Sequence, residues 1–130
     1  MVSVEINGSK RLLVFSAAGH VSREEVKQAV TEVRTALQGV APGLRALIDF
    51  RWLDSIRPSA APHIAEIMDL LAEKQLASVI RIIPDPGKDL ALNILSRFRY
   101  SDELPITTVK TLVEALDRLV EQHAELAERN

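Results

Sequence analysis

At 130 residues, 47% apolar and 26% charged, the chain is long enough for one domain around a buried core. A formal net charge of −2 supplies no field to attract nucleic acid or acidic lipid, and the absence of cysteine removes disulfides, thiolate nucleophiles and thiolate metal sites. No apolar run approaches the roughly 18 residues of a spanning helix. "MVSVEING" lacks the basic and apolar regions of a signal peptide, so a cytoplasmic protein is expected.

Val2, Val4 and Ile6 alternate with polar residues, "NGS" (7–9) supplies a turn, and "RLLVFSAAG" (11–19) returns, which predicts a β-hairpin. Ser22 and Glu25 have the spacing of a capping box, and Val26, Val30, Val33, Leu37 and Val40 recur at helical intervals until Gly39 and Pro42. "LRALIDF" (44–50) is nearly continuously apolar, as a strand covered on both faces would be. A second helix is expected from about Ser59, where Pro62 falls in the first turn and Ile64, Ile67, Met68 and Leu71 form the buried stripe. "SVIRII" (78–83) is the next strand. Asp85 and Pro86 then read as the cap and first residue of a third helix, with Leu90, Ile94, Leu95 and Phe98 on its apolar face. "PITTV" (105–109) is a short β-branched strand. Thr111 with Glu114 reads as a second capping box, for a fourth helix lined by Leu112, Leu116, Leu119 and Leu126. Residues 124–130 read as a frayed tail.

The expected fold is therefore a single α/β domain spanning 1–130. It has a mixed, mainly parallel five-stranded sheet and four helices in the order β-β-α-β-α-β-α-β-α.

Chemistry concentrates in the connection after the central strand, "RWLDSIRPSAAPH" (51–63). Ser55 and Ser59 stand near a helix N-terminus, where free N–H groups favour an anion, and Arg57 is at hand to pair with a phosphate. The plainer role for Ser59 is a helix cap, and for Ser55 a turn. Trp52, the sole tryptophan, lies between Arg51 and Leu53; it either anchors a partner or caps the core. Asp49 and Asp54 form a carboxylate pair with no third group to orient either one. Asp49 nevertheless ends a central strand, where α/β sheets place ligands. His20, His63 and His123 are scattered, so no metal or other cofactor is expected; His20 is read as a loop residue. "PDPGKD" lacks the second glycine and Lys-Ser/Thr of a phosphate-binding loop. "SRFRYSDE" sets two arginines among aromatics but is followed at once by Asp102 and Glu103, so it is read as core aromatics with solvated arginines.

The element order, "AAGHVSREEV", "ALIDFRWLDSI" and "LPITTVKTLVEALDRL" together resemble the STAS domains of anti-sigma factor antagonists, and more closely their SpoIIAA-like (STAS/SEC14-type) relatives, over nearly the whole chain. The resemblance implies a non-enzymatic regulatory module that binds a protein partner, a kinase or an anti-sigma-like regulator. It also implies phosphorylation at the serine of an Asp-Ser pair, which Asp54-Ser55 matches, although Ile56 and Arg57 replace the family's small residue and glycine. Trp52, Asp54, Arg57 and His63 are the expected partner-binding residues, with Ser55 and Ser59 the phosphorylation candidates. The alternative, from the SEC14-like side of the resemblance, is a module for a small apolar ligand or lipid.

Overall fold

The computed structural model describes residues 1–84 and 104–128, with side chains as far as residue 122. Strands Val2–Asn7 (β1), Leu12–Val21 (β2), Arg45–Ile56 (β3), Ser78–Ile82 (β4) and Ile106–Val109 (β5) form one sheet in chain order. The hairpin pair β1–β2 is antiparallel, and the other three pairings are parallel. Helices Arg23–Leu37 (α1), Ala61–Glu73 (α2) and Leu112–Glu128 (α3) complete the described architecture. The single mixed α/β sheet agrees with expectation. Three α-helices stand among the described residues against the four expected; the one expected from Asp85 to Phe98 lies outside them.

Each face of the sheet carries its own apolar cluster. On one face, Leu13, Ala17 and Val21 of β2 and Phe50 and Leu53 of β3 meet Val26, Val30, Val33 and Leu37 of α1 and Ile67 and Leu71 of α2. On the other, Leu47, Ile80, Ile82 and Val109 pack with Ala115, flanked by Leu12, Val14, Leu112 and Leu119. Alternation along β4 sorts its side chains: Ile80 and Ile82 go to the α3 cluster, and Ile83 just beyond it to the other.

The first helix starts as its sequence dictates. The Ser22 hydroxyl accepts from the Glu25 N–H at 3.2 Å, and the Glu25 carboxylate accepts from the Ser22 N–H at 3.3 Å. At α3, Thr111 Oγ1 accepts from the Glu114 N–H at 3.2 Å and meets the Glu114 carboxylate at 3.1 Å. One expectation for α3 needs correction. Leu116 is half-exposed, because the buried stripe runs through Leu112, Ala115 and Leu119, where alanine lets the helix approach the sheet closely. The helix is described as far as Glu128.

Leu13 is fully buried between the sheet and α1. Leu13→Ala should lower unfolding stability by about 3 kcal/mol in urea denaturation, with an unchanged denaturant slope.

Candidate functional site

The central strand is longer than its sequence suggests, and this extension builds the site. β3 was expected to end at Phe50 and runs instead to Ile56, so Trp52, Asp54 and Ser55 belong to a strand rather than a loop. Up to Asp49 it pairs with both β2 and β4; beyond Asp49 only β2 continues beside it. β2 likewise extends past Gly19 to Val21, which makes His20 a strand residue and not a loop residue. The two strands thus leave the sheet as a two-stranded ribbon.

Two irregularities set which side chains face outward. The pairing steps from Ser16↔Asp49 to Ala18↔Trp52, and from Gly19↔Leu53 to His20↔Ser55. At each step β3 advances one residue more than β2, which is a β-bulge. Gly19 at the second bulge has φ of +71°, a conformation that glycine adopts without strain. The bulges change the strand's period from two to three. Phe50, Leu53 and Ile56 all reach the α1–α2 cluster. Asp49, Trp52 and Ser55 lie opposite Ser16, Ala18 and His20, on the other side.

On that side the groups are tightly arranged. The Asp49 carboxylate accepts from Arg51 Nε at 3.0 Å and Nη2 at 2.9 Å, and also from the Arg51 backbone N–H at 3.0 Å. The Arg51 guanidinium carbon sits 5.6 Å from the centre of the Trp52 ring, within cation–π range. Trp52 itself is 67% exposed. It does not cap the core. Burial pushes the Asp49 carboxyl upward, but the Arg51 hydrogen bonds and charge outweigh it and hold the group below its ordinary range. Arg51 is correspondingly raised by its hydrogen bonds to Asp49, against a smaller effect of burial. Asp49 is therefore a brace for Arg51, not half of a carboxylate pair.

Further out, His20 Nδ1 and Ser55 Oγ are 2.7 Å apart, a contact between residues 35 apart in sequence. Asp54 is the residue inserted at the second bulge and is exposed. Arg57 is exposed, and its backbone N–H donates to the Val21 carbonyl at 3.0 Å, which closes the ribbon. A short 3-10 turn, Pro58–Ala60, then leads into α2. Ser59 is exposed within this turn and caps nothing: the N-cap of α2 is Ala60, with no side-chain hydrogen bond. Pro58 at the head of the turn shifts the start of α2 past the serine. His63 is only 14% exposed, and its Nδ1 lies 3.4 Å from Glu66 Oε1. The structure thus gathers Trp52, Asp54, Ser55 and Arg57 along one segment with His20, which sequence reading had set apart, and tucks His63 against its own helix. Side chains of residues 123–130, His123 included, lie outside the described set.

Among the described residues no group of three or more metal-type ligands comes together. No described helix is long and apolar enough to cross a membrane. A cavity of about 70 Å³, lined by Phe15, Ile48, Phe50, Ile67 and Met68 among others, lies between the sheet and the α1–α2 layer. It falls well below the several hundred Å³ of a drug-sized ligand site, so it lends nothing to the lipid alternative.

No family model matches the chain, and no curated protein matches it in sequence. Solved structures do match in fold. An uncharacterized protein with a SpoIIAA-like fold from Shewanella loihica PV-4 superposes with a TM-score of 0.67 at 24% identity, covering 92% of each chain. The anti-sigma factor antagonist SpoIIAA in its unphosphorylated form gives 0.64 at 20% identity, over 92% of this chain and 97% of that one. The phosphorylated form of the Bacillus cell fate determinant SpoIIAA gives 0.63 at 20% identity, over 92% and 99%. The chain has the SpoIIAA-like fold.

The Asp49–Arg51–Trp52 arrangement has a spectroscopic signature, since Trp52 is the one indole in the chain. Asp49 is held below its ordinary range in the folded state, so its pairing is intact above that range and is lost as pH falls through the depressed value. Tryptophan emission should therefore step at acid pH while far-ultraviolet dichroism stays native. In Asp49→Asn that step should be absent.

Proposed function

We propose that the chain is a non-enzymatic regulatory module that binds a protein partner through the end of β3 and the approach to α2. One observation carries this reading. A tryptophan stands 67% exposed on a strand, held from below by a guanidinium that is itself pinned by a carboxylate. An exposed aromatic costs solvation in the free protein, and a braced one loses little conformational freedom on binding. Those are the physical properties of a contact residue.

The SpoIIAA-like fold supports a regulatory role of STAS type, and SpoIIAA has been solved both unphosphorylated and phosphorylated. We extend that to this chain as phosphorylation at Ser55, with exposed Ser59 the second candidate, by a kinase-type partner in the cytoplasm. Asp54 and Arg57, exposed on either side of Ser55, supply polar contacts beside the tryptophan. His63 contributes less, since most of its surface is covered. The His20–Ser55 pair has a nucleophile and a base, but no carboxylate orients the imidazole among the described residues, so a hydrolase is not the reading favoured.

Trp52→Ala should cost at most about 1 kcal/mol of stability, the size of an exposed cation–π contact, where a core tryptophan would cost about 3–5 kcal/mol. The same substitution should weaken an identified partner's binding at least roughly tenfold, as hot-spot truncations do. A large fall in the denaturation midpoint would make Trp52 structural and remove the case for the surface. Ser55→Asp and Ser59→Asp, measured against that partner, ask which serine switches binding. If neither changes the affinity, the interface is constitutive.

A further inference from the structure

We propose that His20 receives the charge of a phosphoryl group placed on Ser55, so that the two strands of the ribbon form the modified site together. The proposal rests on the phosphorylation reading of Ser55. It begins from the register. If pairing had continued without interruption from Gly19↔Leu53, His20 would stand opposite Asp54. The inserted residue puts a hydroxyl there instead, with Nδ1 and Oγ 2.7 Å apart. Both residues are exposed, so a tetrahedral group on Oγ has room outward. The next pair, Val21↔Ile56, turns its side chains to the α1–α2 cluster and anchors the ribbon beneath.

The chemistry follows from that distance. Transfer from a nucleoside triphosphate held by a partner kinase forms the Oγ–P bond and breaks the bond from the terminal phosphorus to the diphosphate oxygen. The hydroxyl proton is released, and Nδ1 of a neutral His20 is placed to take it. The product then sets an imidazolium beside a phosphate of charge near −2, a charge-assisted pair across the two strands. The charged groups nearest in sequence are Asp54 and Arg57 beside Ser55, and Arg23 and Glu24 after β2. Among the described residues none of these four is hydrogen-bonded to His20 or Ser55, and Arg57, two residues on, is the cation nearest Ser55 in sequence.

The test uses the full chain carrying phosphoserine at position 55, introduced by codon suppression, and follows its phosphorus resonance against pH. With His20 present, the phosphate should titrate roughly one pH unit lower than in His20→Gln, because a neighbouring cation favours the dianion. Equal midpoints in the two chains would overturn the proposal. So would a shift that follows Arg57→Gln and not His20→Gln, since the charge would then be met by the arginine. The ring protons of His20 in the unsubstituted chain give a second measurement: they should move on phosphorylation, and an unmoved ring counts against the pair. The titration needs neither partner nor kinase. A failure to find phosphorylated Ser55 in cells, or to see Trp52→Ala lose a partner, would remove the underlying reading without altering this result.

Discussion

β3 keeps its hydrogen-bonded ladder with β2 after β4 has ended, and it does so across two inserted residues. A strand paired on one side only must still bury an apolar edge to stay attached. Phe50, Leu53 and Ile56 achieve that with a spacing of three, which a regular strand cannot present to one face. The bulges reconcile backbone pairing with side-chain burial, and the outward order Asp49, Trp52, Ser55 is the other half of the same solution. Had the strand kept a period of two, Leu53 and Phe50 would lie on opposite faces, and one of them would be left in water where Trp52 now stands.

How far this could be read from sequence differs by element. The stripe Val26, Val30, Val33 and Leu37 and the capping box at Ser22 are local, and each was legible because contacts three and four residues apart define it. The end of β3 was not, since "FRWLDSI" has neither a period of two nor one of 3.6, and period is the main sequence signal. The His20–Ser55 contact depends on register between strands and so has no local trace. The exposure of Trp52 was an open choice for a similar reason: the bulge before it decides which face it takes. At α3, counting leucines favoured Leu116, whereas close approach to the sheet favoured Ala115. Sequence patterns weigh hydrophobicity, and packing weighs shape as well.

Charge is used inside the sheet layers in two ways. Arg45 is buried beneath α3, where it donates to the Leu119 carbonyl at 3.0 Å and reaches Gln122 Oε1 at 3.5 Å and the Lys10 carbonyl at 3.4 Å. Burial pulls its guanidinium below the ordinary value, and several oxygens offset the lost water. Arg81, also buried, donates to Thr108 Oγ1 at 2.9 Å and so ties β4 to β5 by side chains as well as backbone. Arg51, by contrast, lies at the rim and spends its hydrogen bonds on one carboxylate, leaving the flat face of its guanidinium for an aromatic ring. Arg45 holds helix to sheet and Arg81 strand to strand; Arg51 shapes a surface.

The ribbon beyond Asp49 also has a dynamic meaning. From Gly19 and Leu53 onward its strands hold one ladder instead of two, so this part of the protein can open by a subglobal fluctuation while β4, α1 and α2 stay packed. The free energy of that opening is set by what it must give up: Val21, Leu53 and Ile56 in the α1–α2 cluster and the Arg57 N–H to the Val21 carbonyl. A protein that grips the outer face would close the ribbon as it binds. Part of its binding energy would then appear as slower exchange of amides it never touches, on the far strand around Gly19 and His20. Binding at that face and local order at this end of the sheet would then be thermodynamically one equilibrium.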